Sequence, residues 1–172
     1  MHISSDENIT PFLDALEKLN VKMLLAGLRW SIEHAETISP ANIARVKALG
    51  GGIALDTNMA LHTDGFITTH GRENALLTPR LRELADSGIP LTMTADAFRA
   101  ATFKPWFGIS WMVSGKSVFG SGVLAKHNRL TRAEALGLFT RKPACFMKAE
   151  SELGMISASY VAAAVRAAIH VQ

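Results

Sequence analysis

Apolar positions along the chain alternate between two periods. Phe12, Leu13, Leu16 and Leu19 recur at helical spacing, which predicts a helix over residues 10–20. Residues 29–34, bounded by Gly27, form a short apolar-polar run that reads as a strand. Ser39-Pro40 supplies a helix start, with serine as N-cap and proline at the first helical position. Ile43, Val46 and Leu49 mark the buried face of that helix, and Gly50-Gly51-Gly52 ends it. Ile53-Ala54-Leu55 is the next strand. A polar segment over residues 56–74 follows and reads as a long loop, a length usually kept for a functional site. A helix is expected over 79–87, stopped by Gly88, and a strand over 91–96 that closes on Asp96. Thr131-Arg132-Ala133-Glu134 fits a capping box, continued by Ala135, Leu138 and Phe139.

Strand and helix in alternation, with connections long enough for crossovers, predict an α/β fold with a parallel sheet. The 172 residues suit one domain and three or four β/α units, fewer than the eight of a closed barrel of about 250 residues. On pattern alone an open doubly wound sheet is the alternative. No glycine-rich phosphate loop follows a strand, so the usual nucleotide-binding use of such a sheet is not indicated.

Composition narrows the partners. Apolar residues make up 48% and charged residues 19%, as in a packed globular protein rather than a disordered one. The net charge of +3 is spread without a basic run, which argues against nucleic-acid binding. No apolar run approaches the roughly 20 residues of a membrane span, and the polar start has no signal core. One cysteine, Cys145, forms no internal disulfide and suits a reducing compartment, so a cytoplasmic location is expected.

Three groups able to bind a metal stand at strand termini: His2, His34 and Asp96. In a parallel barrel the carboxyl ends of the strands form the active face. Two imidazoles and a carboxylate meeting there suit a divalent ion of the zinc type. Such an ion acidifies water and polarises a carbonyl, while a carboxylate takes up the water's proton. Each residue also has a plain structural use: a histidine at a strand end is commonly a polar loop residue, and Asp96 can cap a following helix.

The words around these residues resemble a known family. Ile32-Glu33-His34-Ala35 and Thr92-Met93-Thr94-Ala95-Asp96-Ala97 are similar to the strand-six and strand-eight motifs of the amidohydrolase superfamily, in its amidohydrolase-3 group. His2-Ile3-Ser4-Ser5-Asp6 resembles the strand-five motif, with Ser4-Ser5 in place of a small residue and glycine. Lys104-Pro105-Trp106, Val113-Ser114-Gly115-Lys116 and the run from Asn128 to Leu136 resemble the segments after strand eight. The resemblance implies a partial (β/α)8 TIM barrel over residues 1–156, roughly strands five to eight. It also implies a metal-dependent hydrolase of carbon–nitrogen (non-peptide amide) bonds. His2, His34 and Asp96 would be metal ligands and Asp96 the catalytic acid–base. His70, Arg72 and Arg99 are candidate substrate-binding residues; the plain reading of His70 and Arg72 is a solvated polar loop, and that of Arg99 an ion pair with Asp96 or another acid.

The same resemblance marks departures. The family's strand-one HxH pair occurs nowhere in the chain. After Ile156 an alanine-rich stretch, residues 157–172, replaces the expected return segment and reads as an amphipathic helical tail. The expectation is therefore an incomplete metal site on a half-barrel. Such a half-barrel would self-associate or pair with a complementary chain, because its sheet has open edges. A non-catalytic remnant and one subunit of a split enzyme are the alternatives to a working hydrolase of small amide-type substrates.

Overall fold

The structure, a computed structural model, describes residues 1–97, 100–117, 120 and 124–161. Four parallel strands form its sheet: β1 (His2–Ile3), β2 (Ser31–His34), β3 (Gly52–Asp56) and β4 (Leu91–Thr94), hydrogen-bonded in the order β1-β2-β3-β4. A doubly wound sheet reverses its order at a switch point. This sheet runs consecutively, as does the wall of a (β/α)8 barrel, and the fold is consistent with part of one.

Helix α1 (Asp6–Asn20) crosses from β1 to β2, and α2 (Pro40–Ala48) crosses from β2 to β3. Ser39 caps α2 as expected, its hydroxyl accepting from the Asn42 amide at 3.3 Å. Asp6 ties the two crossovers together: its Oδ1 accepts from the Ser39 amide and from Asn42 Nδ2, both at 2.7 Å. Ile9 and Leu13 of α1, Ile43 and Val46 of α2, and Ile32 and Ile53 of the strands share one core.

The polar segment over residues 56–74 is not a loop, and here the structure corrects the sequence reading. It folds as α3 (Met59–His70) and α4 (Arg72–Leu76). Its threonines are compatible with a helix because their hydroxyls bond back to the preceding turn. Thr63 donates to the Met59 carbonyl, Thr68 to Asp64 and Thr69 to Gly65, the last two at 3.0 Å. Met59, Ala60 and Thr63 form the buried face. Helix α5 (Leu81–Asp86) then leads into β4.

After β4 come α6 (Pro105–Ser114), a 3₁₀ turn over Lys126–Asn128, α7 (Arg132–Phe139) and α8 (Arg141–Phe146). The capping box at Thr131 and Glu134 is complete. By register, Glu33, Ala54 and Thr92 share one side of the sheet, and Ile32, Ile53 and Leu91 share the other. Thr92 donates to the Leu138 carbonyl of α7 at 2.9 Å. On the same side, a Cβ at Gly52 would lie 2.8 Å from the Phe146 ring. Helices thus cover both sides of β3, every residue of which is buried. Residues 157–161 carry no helix, and the rest of the expected helical tail lies outside the described residues. Among the described residues, no helix is long and apolar enough to cross a membrane.

Candidate metal centre

Parallel pairing places Ile3 opposite His34 and His2 opposite Glu33. This brings two imidazoles 32 residues apart together, with His2 Nδ1 at 2.8 Å from His34 Nε2. The other nitrogen of the His34 ring, Nδ1, is hydrogen-bonded to Asp56 Oδ2. Asp56 closes β3 and is almost wholly buried; its Oδ1 accepts from the Asn58 amide at 2.7 Å.

His34, Asp56 and Asp96 stand at or just past the carboxyl ends of β2, β3 and β4. One potential ligand atom from each lies within 4.8 Å of the others. An ion with bonds of about 2.0–2.2 Å bridges ligands up to about 4.4 Å apart, so small side-chain rotations suffice. Imidazole nitrogen with carboxylate oxygen is a donor set that suits a divalent ion. The cluster is graded in exposure: Asp56 is buried, His34 half-buried and Asp96 open to solvent. It can therefore hold an ion while leaving one side free.

The backbone is specialised at the same place. His34, Ala35 and Asp96 have φ values of +76°, +46° and +44°, in the left-handed region that residues with a Cβ rarely enter. Such conformations persist where surrounding structure enforces them and concentrate at functional sites. At Ala35 the enforcement is visible: the residue is fully buried and its amide donates to the Ile3 carbonyl at 2.9 Å.

An open cleft of about 490 Å³ is lined by Ser4, Glu36, Thr37, Phe66, His70 and Arg80 among others and touches none of His2, His34, Asp56 or Asp96; Glu36, near enough to feel the charges of Asp56 and His34, connects it to the cluster. His70, the last residue of α3, stacks on Phe66 with ring centroids 4.2 Å apart. Arg72 opens α4, is exposed and lies outside the cleft lining; Arg99 lies outside the described residues. Burial pushes the Glu36 carboxyl above the usual range and the Asp56 charge adds to the rise, while His34 and His62 pull it back.

Sequence reasoning selected His2, His34 and Asp96 but missed Asp56 and Glu36. Asp56 carries the same signal as Asp96, an acid immediately after an apolar strand, but it also opens the polar segment that reads as a loop. Glu36 had no signal beyond lying two residues after His34.

A parallel β/α wall consistent with part of a barrel, with a His/Asp/Asp cluster at its strand ends able to hold a divalent ion, sets the class. The family is more specific: the amidohydrolase family model of the amidohydrolase-3 type matches residues 1–163, and the chain belongs to that family. A crystal structure of a metal-dependent hydrolase from Pyrococcus furiosus superposes with a TM-score of 0.74 at 25% identity, over 94% of this chain and 31% of that one. A second, from Pyrococcus horikoshii OT3, gives 0.74 at 20% identity, over 94% and 32%. The chain thus spans about a third of the length of either. No curated protein matches it.

Proposed function

We propose that this chain carries the second half of an amidohydrolase-3 barrel, strands five to eight. We further propose that it serves a metal-dependent hydrolysis of carbon–nitrogen bonds in small amide-type substrates. The observation that carries this reading is the grouping of His34, Asp56 and Asp96 at one rim of the sheet, with His2 against the far nitrogen of His34, in a chain of this family.

A bound divalent ion, for which zinc best suits the mixed nitrogen and oxygen donors, supplies Lewis acidity to a carbonyl and acidifies water. His2 and His34 would hold the ion. Asp96, the exposed member of the cluster, would take a proton from water and return it to the leaving nitrogen. The cleft lined by Glu36 and the Phe66–His70 stack receives the substrate's side groups, with Arg72 and Arg99 proposed as further substrate contacts.

Strands β1 and β4 are the outer strands of the sheet, and their edges, unpaired among the described residues, would accept further strands, from a second copy or a complementary chain. The single, partly exposed thiol of Cys145 suits a reducing cytoplasmic setting.

A second reading is a non-catalytic half-barrel or one subunit of a split enzyme, because the described cluster offers one imidazole and two carboxylates and no further ligand. Metal analysis with activity separates the two. Stoichiometric zinc that is lost in His34→Ala, with amide hydrolysis lost in Asp96→Asn, supports the hydrolase. A chain that stays metal-free after incubation with zinc overturns it.

A further inference from the structure

The two nitrogens of the His34 ring face different partners, and the chemistry of those partners decides where its proton sits. Nδ1 meets Asp56 Oδ2, and Nε2 meets His2 Nδ1. A carboxylate accepts hydrogen bonds and donates none, while a neutral imidazole has one N–H to give. The pairing with Asp56 therefore places the proton on Nδ1 and leaves a lone pair on Nε2. We infer that Asp56 is a positioning residue: it fixes the tautomer and orientation of His34 so that Nε2, beside His2 Nδ1, is the nitrogen presented to the ion. This rests on the metal-centre reading above and assigns a role to a residue that the family-like motifs do not contain.

Three observations favour positioning over direct ligation by Asp56. Both of its oxygens are engaged, Oδ2 by His34 and Oδ1 by the Asn58 amide at 2.7 Å. It is the most buried member of the cluster, beneath the half-buried His34. The 2.8 Å approach of His2 Nδ1 to His34 Nε2 places two nitrogens where they share either a proton or a cation. Metal-ligating histidines commonly give their other N–H to such a carboxylate, and losing that partner typically weakens metal binding about 10–100-fold.

The test uses the whole chain labelled with ¹⁵N at histidine, titrated with Zn²⁺ alone. In the metal-free protein the His34 ring is expected as the Nδ1–H tautomer. Zn²⁺ should move the Nε2 resonance into the coordinated range and leave Nδ1 protonated. Asp56→Asn should weaken Zn²⁺ binding about 10–100-fold without abolishing it, whereas His34→Ala abolishes it. Coordination through Nδ1 overturns the assignment, as does an Asp56→Asn protein that loses the ion as completely as His34→Ala or binds it as the parent does. If Asp56→Asn fails to fold, the wild-type spectra decide alone. A wild type that binds no Zn²⁺ overturns the metal reading, and its His34 tautomer still tests the role of Asp56.

Discussion

Gly108 of α6 stands directly against Thr57, the residue after Asp56: a Cβ at Gly108 would fall 2.4 Å from Thr57 Cγ2 and 2.9 Å from the Phe139 ring. The backbone that follows Asp56 is thus packed by a helix that comes after β4, and the absence of one side chain sets the approach.

Gly108→Ala should accordingly damage the site from behind. Overpacking of this kind costs about 1–3 kcal/mol, and relief requires Thr57 or Phe139 to move. Urea unfolding should show a stability loss in that range. Zn²⁺ affinity should fall with it, because Asp56 moves with Thr57. An unchanged unfolding midpoint would contradict the packing described.

Glu134 links α7 to α5. The Arg82 guanidinium, 2.8 Å away, and the Thr131 amide and hydroxyl hold its carboxyl well down, at about 2 against an ordinary 4.5. A carboxyl depressed by folding adds stability above its unfolded pKa, and that contribution fades as pH falls toward the folded value. Glu134→Gln should therefore melt below wild type at pH 7, and the difference should shrink between about pH 4.5 and pH 2. Both partners are about a third exposed or more, so the effect will be small and reduced by salt.

Glu36 has the opposite sign. Burial raises its carboxyl above the ordinary range, so ionisation opposes folding as pH rises through that range. Glu36→Gln should be more stable than wild type at neutral pH and equal to it in acid, where both side chains are neutral. Thermal melts at pH 4 and pH 7.5 check this. A destabilised variant at neutral pH would mean that the carboxylate is held by a favourable partner.

Asn42 joins the first two crossovers. Its buried amide donates to Asp6 Oδ1 at 2.7 Å and to Thr10 Oγ1 at 2.9 Å. Asn42→Ala removes both, together with the bond that Arg45 Nη1 donates to its Oδ1 at 3.1 Å, so two of the three lost partners are charged. It should cost about 1.5–3 kcal/mol in denaturant unfolding. Ser39→Ala should cost only about 1 kcal/mol, as loss of an N-cap.

The legible parts of this molecule were those with local chemistry. Ser39-Pro40 and Thr131 with Glu134 declare helix starts because a cap needs only neighbours in sequence. The apolar run at Ile53 declares a strand because burial on both sides leaves little room for polar residues, whereas the segments around Ile32 and Leu91 show as short alternations of apolar and polar residues. Helix α3 was hidden because its threonines look like loop residues until their hydroxyls are seen to bond back to the preceding turn. The meeting of His2 with His34 is a product of strand register, and the hold of Asp56 on His34 is a product of adjacent strand ends. No spacing along the chain encodes either.

β3 is enclosed on both sides, whereas His2 rides on a strand of two residues at the margin of the sheet. Local opening is easiest where few groups are buried. Amides of Ile53 and Leu55 should therefore exchange with solvent last, and those of β1 early. Fraying of β1 would separate His2 from His34 while the middle of the domain stays folded. Ion capture and global unfolding are then distinct events, and an ion bridging the two histidines would staple the margin to the centre.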